Sequence, residues 1–133
     1  MSEEKVHEKE YAVTDQDAIH FMGPDAPPVL ATPALLLWLE MTSRENAGPL
    51  LNPGEETVGL CVSLKHLAAT PVGMRVRVIS KLTKVEGRRY FFELEAFDEL
   101  EKIAEAVHER ASVNVARFAN RVAEKKMKSS HAG

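Results

Sequence analysis

LATPALLLWLE, residues 30–40, decides how the rest of the chain must be arranged. Six apolar residues in a row, Ala34 to Leu39, follow Thr32-Pro33 and run straight into a carboxylate, Glu40. Thr32 reads as the N-cap and Pro33 as the first helical position. A hydroxyl accepts a backbone N–H bond there, and proline's missing donor does no harm. The helix is expected to run to about Ala47, where Gly48-Pro49 stops it. A helix apolar on nearly every side must be covered on most of them.

The flanking segments supply the cover. VHEKEYAV, residues 6–13, reads as a first strand of weak alternation, and GPDAPPVL, residues 23–30, as a loop enforced by proline and glycine. Beyond the turn LLNPGEE the period changes to two. In TVGLCVSLKHLAAT, residues 57–70, Val58, Leu60, Val62, Leu64 and His66 share one face, and Thr57, Gly59, Cys61, Ser63 and Lys65 share the other. TPVG turns the chain into MRVRVISKLTKV, and EGR marks a hairpin into RRYFFELEAFD. IAEAVHERASVNVARF, residues 103–118, reads as the last strand. Short turns make antiparallel neighbours, so the expected class is α+β: a strongly curved antiparallel sheet wrapped around one long central helix.

At 133 residues the chain has room for one domain, residues 1–133, with residues 1–4 and about 119–133 as peripheral tails, the second of them basic and read as a short helix or frayed end. Apolar content of 44% and charged content of 28% are ordinary for a soluble globular protein. A net charge of −3 and a pI near 6.0 give no electrostatic reason to expect a nucleic-acid partner. Cys61 is alone, so no internal disulfide and no multi-cysteine metal site can form. No histidine pair or carboxylate cluster has ligand spacing, and neither a metal nor a cofactor is expected. MSEEKVHEKE is charged and does not read as a signal peptide, and no apolar run approaches bilayer length. The expected setting is cytoplasmic, with no membrane partner.

Glu40 shares a face with Leu36 and Leu37 and lies four residues before Arg44, the favourable order for an exposed helical ion pair. His66 stands, by parity, on the inward face of its strand, where a histidine is commonly a hydrogen-bonded structural residue. A single bulge would turn it outward. Together an inward imidazole and a helical acid can deprotonate a water, or the acid can attack a carbonyl itself. The helix start at Thr32 offers unpaired N–H groups suited to an anionic tetrahedral intermediate. Thr32 and Glu40 are nevertheless separated by roughly 12 Å along the helix axis. Two helices related by a two-fold axis can bring the acid of one chain to the helix start of the other, which predicts a homodimer with its site at the subunit interface.

ATPALLLWLE, VGLCVSLKHLAATPVGMRVRV, VEGRRYFFELEAFD and HERASVNVARF, in this order, resemble the hot-dog fold thioesterases and in particular the fluoroacetyl-coenzyme A thioesterase branch. The similarity covers most of residues 30–118. It implies a catalytic set of Thr32, Glu40 and His66, with Gly59 and Arg110 holding or positioning the acyl thioester. Read without the family, Gly59 marks a strand bulge and Arg110 pairs with an acid on a neighbouring strand. The segment AIHFMGPDAPPVL departs from that branch, whose lid before the helix is longer and contains aromatics. Phe21 is its only benzene ring; Phe21 and Met22 are candidates to line the pocket, although an ordinary packing role is the expectation for both. The resemblance therefore implies the reaction class and leaves the acyl group open. The expected activity is hydrolysis of a small acyl-coenzyme A or acyl-pantetheine thioester. A non-catalytic acyl-thioester binder or sensor on the same fold is the alternative, and a dehydratase the third. Arg75, Arg77, Lys81, Arg88 and Arg89 could meet nucleotide phosphates, although a basic strand face is usually only solvated.

Overall fold

The computed structural model describes residues 5–131. The expected tail at residues 1–4 lies outside them. Strand β1 (Lys5–Ala12) leads through a 3-10 turn (Asp15–Asp17) to the short pair β2 (Ala18–Ile19) and β3 (Val29–Leu30). Helix α1 (Thr32–Ala47) follows, then a 3-10 turn (Gly48–Leu50) and the strands β4 (Glu55–His66), β5 (Arg75–Glu86), β6 (Arg89–Phe97) and β7 (Lys102–Asn114). The long strands form one antiparallel sheet in the order β1-β5-β6-β7-β4, with α1 packed on one face. This is the α+β arrangement expected from the sequence. Among the described residues no helix is long and apolar enough to cross a membrane.

Alternation fixes the core. Val76, Val78, Leu82, Tyr90, Phe92, Leu94, Ala96, Ala104 and Ala106 are buried, and they meet Leu35, Trp38 and Leu39 of α1. The β5–β6 hairpin closes through Gly87-Arg88, with Gly87 at φ +61°, a conformation open to glycine. Strand β1 alternates weakly because its residues facing α1 are polar. Lys5 reaches Asn46, His7 and Lys9 both reach Glu45, and Tyr11 stacks on Trp38 at 4.8 Å.

The covering of α1 differs from what its apolar run suggests. Leu37 is 53% exposed, while Thr42, Ser43 and Asn46 are fully buried. Each buried polar group is bonded: Thr42 to the Trp38 carbonyl and the Tyr11 hydroxyl, Ser43 to Ser80, and Asn46 to the Lys5 and Ser80 carbonyls. One stripe of the helix, containing Pro33, Leu37 and Arg44, stays uncovered by this chain.

Two further expectations are corrected. The last strand ends at Asn114 rather than Phe118, and the tail read as a short helix or frayed end from Ala119 is a longer helix, α2 (Val115–His131), that begins there. The Asn114 side-chain oxygen accepts the Arg117 amide at 3.0 Å, as a helix cap does. Strand β4 also has no single apolar face. Its register against β7 shifts between Gly59 and Cys61, so Leu60 bulges and the parity reverses. Thr57 and Gly59 face α1 before the bulge, and Val62, Leu64 and His66 face inward after it, opposite His108, Ala106 and Ala104.

Candidate active site

Two clusters of polar side chains lie along α1, one at its start and one two turns on. At the start, the Ala31 carbonyl accepts the Leu35 amide at 3.1 Å, which makes Ala31 the N-cap, with no side-chain cap of its own. Thr32 and Pro33 thus occupy the first two helical positions, a correction of one residue. Thr32 is released from capping, and its Oγ1 lies 2.8 Å from Nδ1 of His66, the last residue of β4. The other ring nitrogen, Nε2, is buried without a hydrogen-bond partner in bonding geometry. Burial pulls the His66 pKa below the ordinary histidine value, opposed by the nearby Ala68 carbonyl. The ring is therefore neutral near pH 7, a state in which one nitrogen carries a free lone pair.

A cavity of about 630 Å³ adjoins this pair, walled by Ile19, Phe21, Leu30, Pro33, Leu67 and Ala68. Its lining is mostly apolar, with the threonine hydroxyl and the imidazole as its polar groups. Phe21 is 80% exposed, so it does not take the ordinary packing role expected of it and instead forms part of this wall.

Glu40 occupies the second cluster. Its Oε2 lies 3.3 Å from Nη1 of Arg110, whose side chain is almost wholly buried. Arg110 is itself fixed by donating through Nε to Thr57 Oγ1 at 2.8 Å and through Nη2 to the Thr57 carbonyl at 2.9 Å. His108 completes the set: its Nδ1 donates to the Cys61 carbonyl at 2.8 Å, which leaves Nε2 to accept from Arg110 Nη1 at 3.3 Å. Burial lowers the pKa of both Arg110 and His108, and the Glu40 charge opposes the shift in each. Gly59 stands opposite Arg110 in the register, and a Cβ there would come within 2.6 Å of Glu40 Oε2. Only a residue without a side chain leaves the carboxylate where it is. The expected exposed Glu40–Arg44 pair does not form, because Arg44 bonds Glu56 at 2.6 Å while Glu40 turns to Arg110. Arg110 likewise pairs with a helical acid, not with one on a neighbouring strand.

The five residues singled out from the sequence thus fall into two groups within one chain. Thr32 meets His66, and Glu40 meets Gly59 and Arg110. Glu40 and His66 line different cavities, so the acid and the imidazole of a single chain are not brought together. His108 was missed by the sequence reading. The available signal was its place two residues before Arg110, which puts both on one strand face. Among the described residues no group of three or more histidine, cysteine or acidic side chains is placed to hold a metal ion.

Residues 13–116 match the family described as fluoroacetyl-CoA-specific thioesterase. The chain is similar to the fluoroacetyl-CoA thioesterase of Streptantibioticus cattleyicolor, with 30% identity over 122 residues that span 87% of this chain and 88% of that enzyme. A Thermus thermophilus hypothetical protein of the thioesterase superfamily superposes with a TM-score of 0.88 at 30% identity, over 98% of this chain and 96% of that one. A mutant of the fluoroacetyl-CoA-specific thioesterase crystallised with fluoroacetate and CoA superposes with a TM-score of 0.79 at 30% identity, over 89% of this chain and 99% of that one.

Proposed function

Because the chain belongs to the fluoroacetyl-CoA-specific thioesterase family, we infer that it hydrolyses acyl-CoA thioesters to a free acid and a thiol. The observation that carries this reading is the 2.8 Å contact of Thr32 with His66 beside an apolar cavity, with the second imidazole nitrogen buried and unpaired. In the tautomer that donates from Nδ1 to Thr32, the Thr32 proton is free to bond the thioester carbonyl oxygen. The first-turn amides of α1 add to the stabilisation of the oxyanion. His66 Nε2 then holds the lone pair that accepts a proton from water. Glu40, fixed by Arg110, supplies the carboxylate that attacks the carbonyl carbon or activates the water that does. When water attacks, the proton taken by His66 passes to the sulfur as the C–S bond breaks, giving the free acid and the thiol. When Glu40 attacks, the thiolate leaves and is protonated. Water deprotonated by His66 then opens the glutamyl anhydride to release the acid and restore the carboxylate.

A homodimer is part of the same proposal, since the two groups of residues sit about 12 Å apart along one helix. Its support is the uncovered stripe of α1 together with strand β4. That strand is the edge of the sheet, and Leu60 and Leu67 on or beside it are each about half exposed. A second copy packed there in antiparallel fashion lays two α1 helices side by side, with Glu40 of each near Thr32 and His66 of the other. The chain acts as one hot-dog domain, and Cys61, exposed and free, fits a reducing cytoplasm.

The test has two stages. Hydrolysis of acetyl-CoA, followed as loss of thioester absorbance, is expected for the parent and lost in Glu40→Ala, His66→Ala and Thr32→Ala. Intact ligand recovered from the parent would instead make it a binder. Co-refolding Glu40→Ala with His66→Ala then tests the shared site. Half of randomly paired dimers are mixed, and each mixed dimer holds one intact site, so about one quarter of parental activity should return. No recovery would place the acid and the imidazole of each site on one chain and end the dimer proposal.

A further inference from the structure

We propose that a notch between the β5–β6 hairpin and α2 holds the phosphates of the substrate's nucleotide half, which deepens the thioesterase reading and rests on it. The notch, about 420 Å³, is lined by Arg88, Val113, Asn114, Arg117, Asn120 and Arg121. Three guanidinium groups and two amide side chains line it with no carboxylate among them. The selection is not random. Of the eight arginines in the chain, Arg44, Arg75, Arg77, Arg89 and Arg110 are each ion-paired with a glutamate. The three that have no ion pair among the described residues are Arg88, Arg117 and Arg121, and all three line this notch.

Local structure sets them there. Gly87 turns the hairpin, and the Arg88 carbonyl accepts the Ser112 amide at 2.8 Å, which ties the hairpin tip to the end of β7. Arg117 and Arg121 are four residues apart on α2 and so share one face. Gathering three unpaired cations has a repulsive cost that a polyanion relieves, and arginine forks match phosphate oxygens in pairs. The surroundings sharpen the case, since the chain as a whole carries −3 while α2 holds five basic residues and one acidic. Along β7, Asn114 lies four residues from Arg110, roughly 13 Å in an extended strand, a distance that a pantetheine arm reaching toward Glu40 can span.

The probe is adenosine 3′,5′-bisphosphate, titrated calorimetrically into the parent and into Arg88→Ala/Arg121→Ala. Alongside it, steady-state kinetics compare acetyl-CoA with acetyl-pantetheine, which has no nucleotide. The notch predicts saturable binding of the bisphosphate by the parent and a loss of about tenfold or more in the variant. It also predicts a matching rise in KM for acetyl-CoA, with kcat held and the KM for acetyl-pantetheine unmoved. Unchanged bisphosphate binding, or an equal rise in KM for both substrates, overturns the proposal while leaving thioester hydrolysis standing. If neither substrate is hydrolysed, the thioesterase reading fails, and the calorimetry still decides whether the notch takes a phosphorylated nucleotide.

Discussion

Substituting Gly59 by alanine isolates one contact of the candidate site. An added Cβ would lie 2.6 Å from Glu40 Oε2 but 3.5 Å from both Glu40 Cδ and His108 Cε1, which is ordinary van der Waals distance. The conflict is confined to one carboxylate oxygen. That oxygen must retreat by about 0.8 Å to reach the 3.4 Å at which ordinary contact begins. Glu40 can make this move, because the displaced atom is the end of a flexible side chain, so the fold is expected to survive. Gly59 has a negative φ, and alanine in place of glycine reduces the freedom of the unfolded chain by a few tenths of a kcal/mol in favour of folding. Catalysis is less tolerant: a misplacement on the order of 1 Å costs about 100-fold, or roughly 2.7 kcal/mol of transition-state stabilisation. The expected result for Gly59→Ala is an unchanged melting temperature and a fall of about 30- to 100-fold in kcat/KM for acetyl-CoA. Loss of thioester absorbance is the suitable assay, because a thiol-reactive dye would also titrate exposed Cys61. A double-mutant cycle decides the cause. If the methyl acts through Glu40, Gly59→Ala adds little in a Glu40→Ala background. A second full loss there would refute the reasoning, since the methyl would then be obstructing something other than the carboxylate.

Other consequences are simpler to state. Burial lowers His66 below 6.5, so the neutral ring persists to lower pH and the acid limb of kcat/KM should lie below 6.5; a limb above it contradicts a buried neutral base. His66 and His108 are both depressed, so the unfolded chain binds more protons just below 6.5. Their stabilisation is complete above that pH and is lost as pH falls through their folded values, which melting curves at descending pH should follow. Arg110→Lys keeps the charge but cannot reproduce the fork that holds Thr57 and Glu40 together, and kcat/KM is expected to fall by about tenfold or more, measured with acetyl-CoA. Asn46→Ala leaves the buried Ser80 carbonyl and the half-buried Lys5 carbonyl without their shared donor, and urea unfolding should register a loss of about 2–4 kcal/mol with an unchanged slope.

Where the chain obeys simple periodicity, its structure was legible. Thr-Pro and Gly-Pro bracket α1 at Thr32 and Ala47, and the alternation of β5, β6 and β7 names most of the core. The bulge beside Gly59 was legible as a possibility from the glycine alone, but its consequence, a reversal of which side chains face the helix, was not. That reversal is what sets Gly59 under Glu40 while keeping His66 inward. Helix α2 was legible only from Ala119, as a short helix or frayed end; its earlier start was also there to be read, since Val115, Phe118 and Val122 are spaced three and four apart behind a capping asparagine. The residues of the candidate site were identifiable one by one, but their grouping depended on tertiary contacts. Thr32 goes to His66 only because Ala31 takes the cap, and Glu40 pairs with the buried Arg110 while the neighbouring Arg44 is taken by Glu56.

The rotation of α1 about its own axis follows from the same contacts, and it opposes what hydrophobicity alone would select. Turning the helix to bury Leu37 would carry Thr42, Ser43 and Asn46 away from Tyr11, Ser80 and Lys5, leaving polar groups on both sides unpaired in the core. Each such group costs about 1–3 kcal/mol, comparable with the whole gain from burying one leucine. Several bonds are lost against one side chain gained, so the polar contacts win. The helix is held with Leu35 and Leu39 inward and Leu37 outward, which sets Glu40 at the mouth of the small cavity beside Gly59. The polar second half of α1 thereby aims the acid. An apolar core at those three positions would remove the restraint on rotation without supplying another.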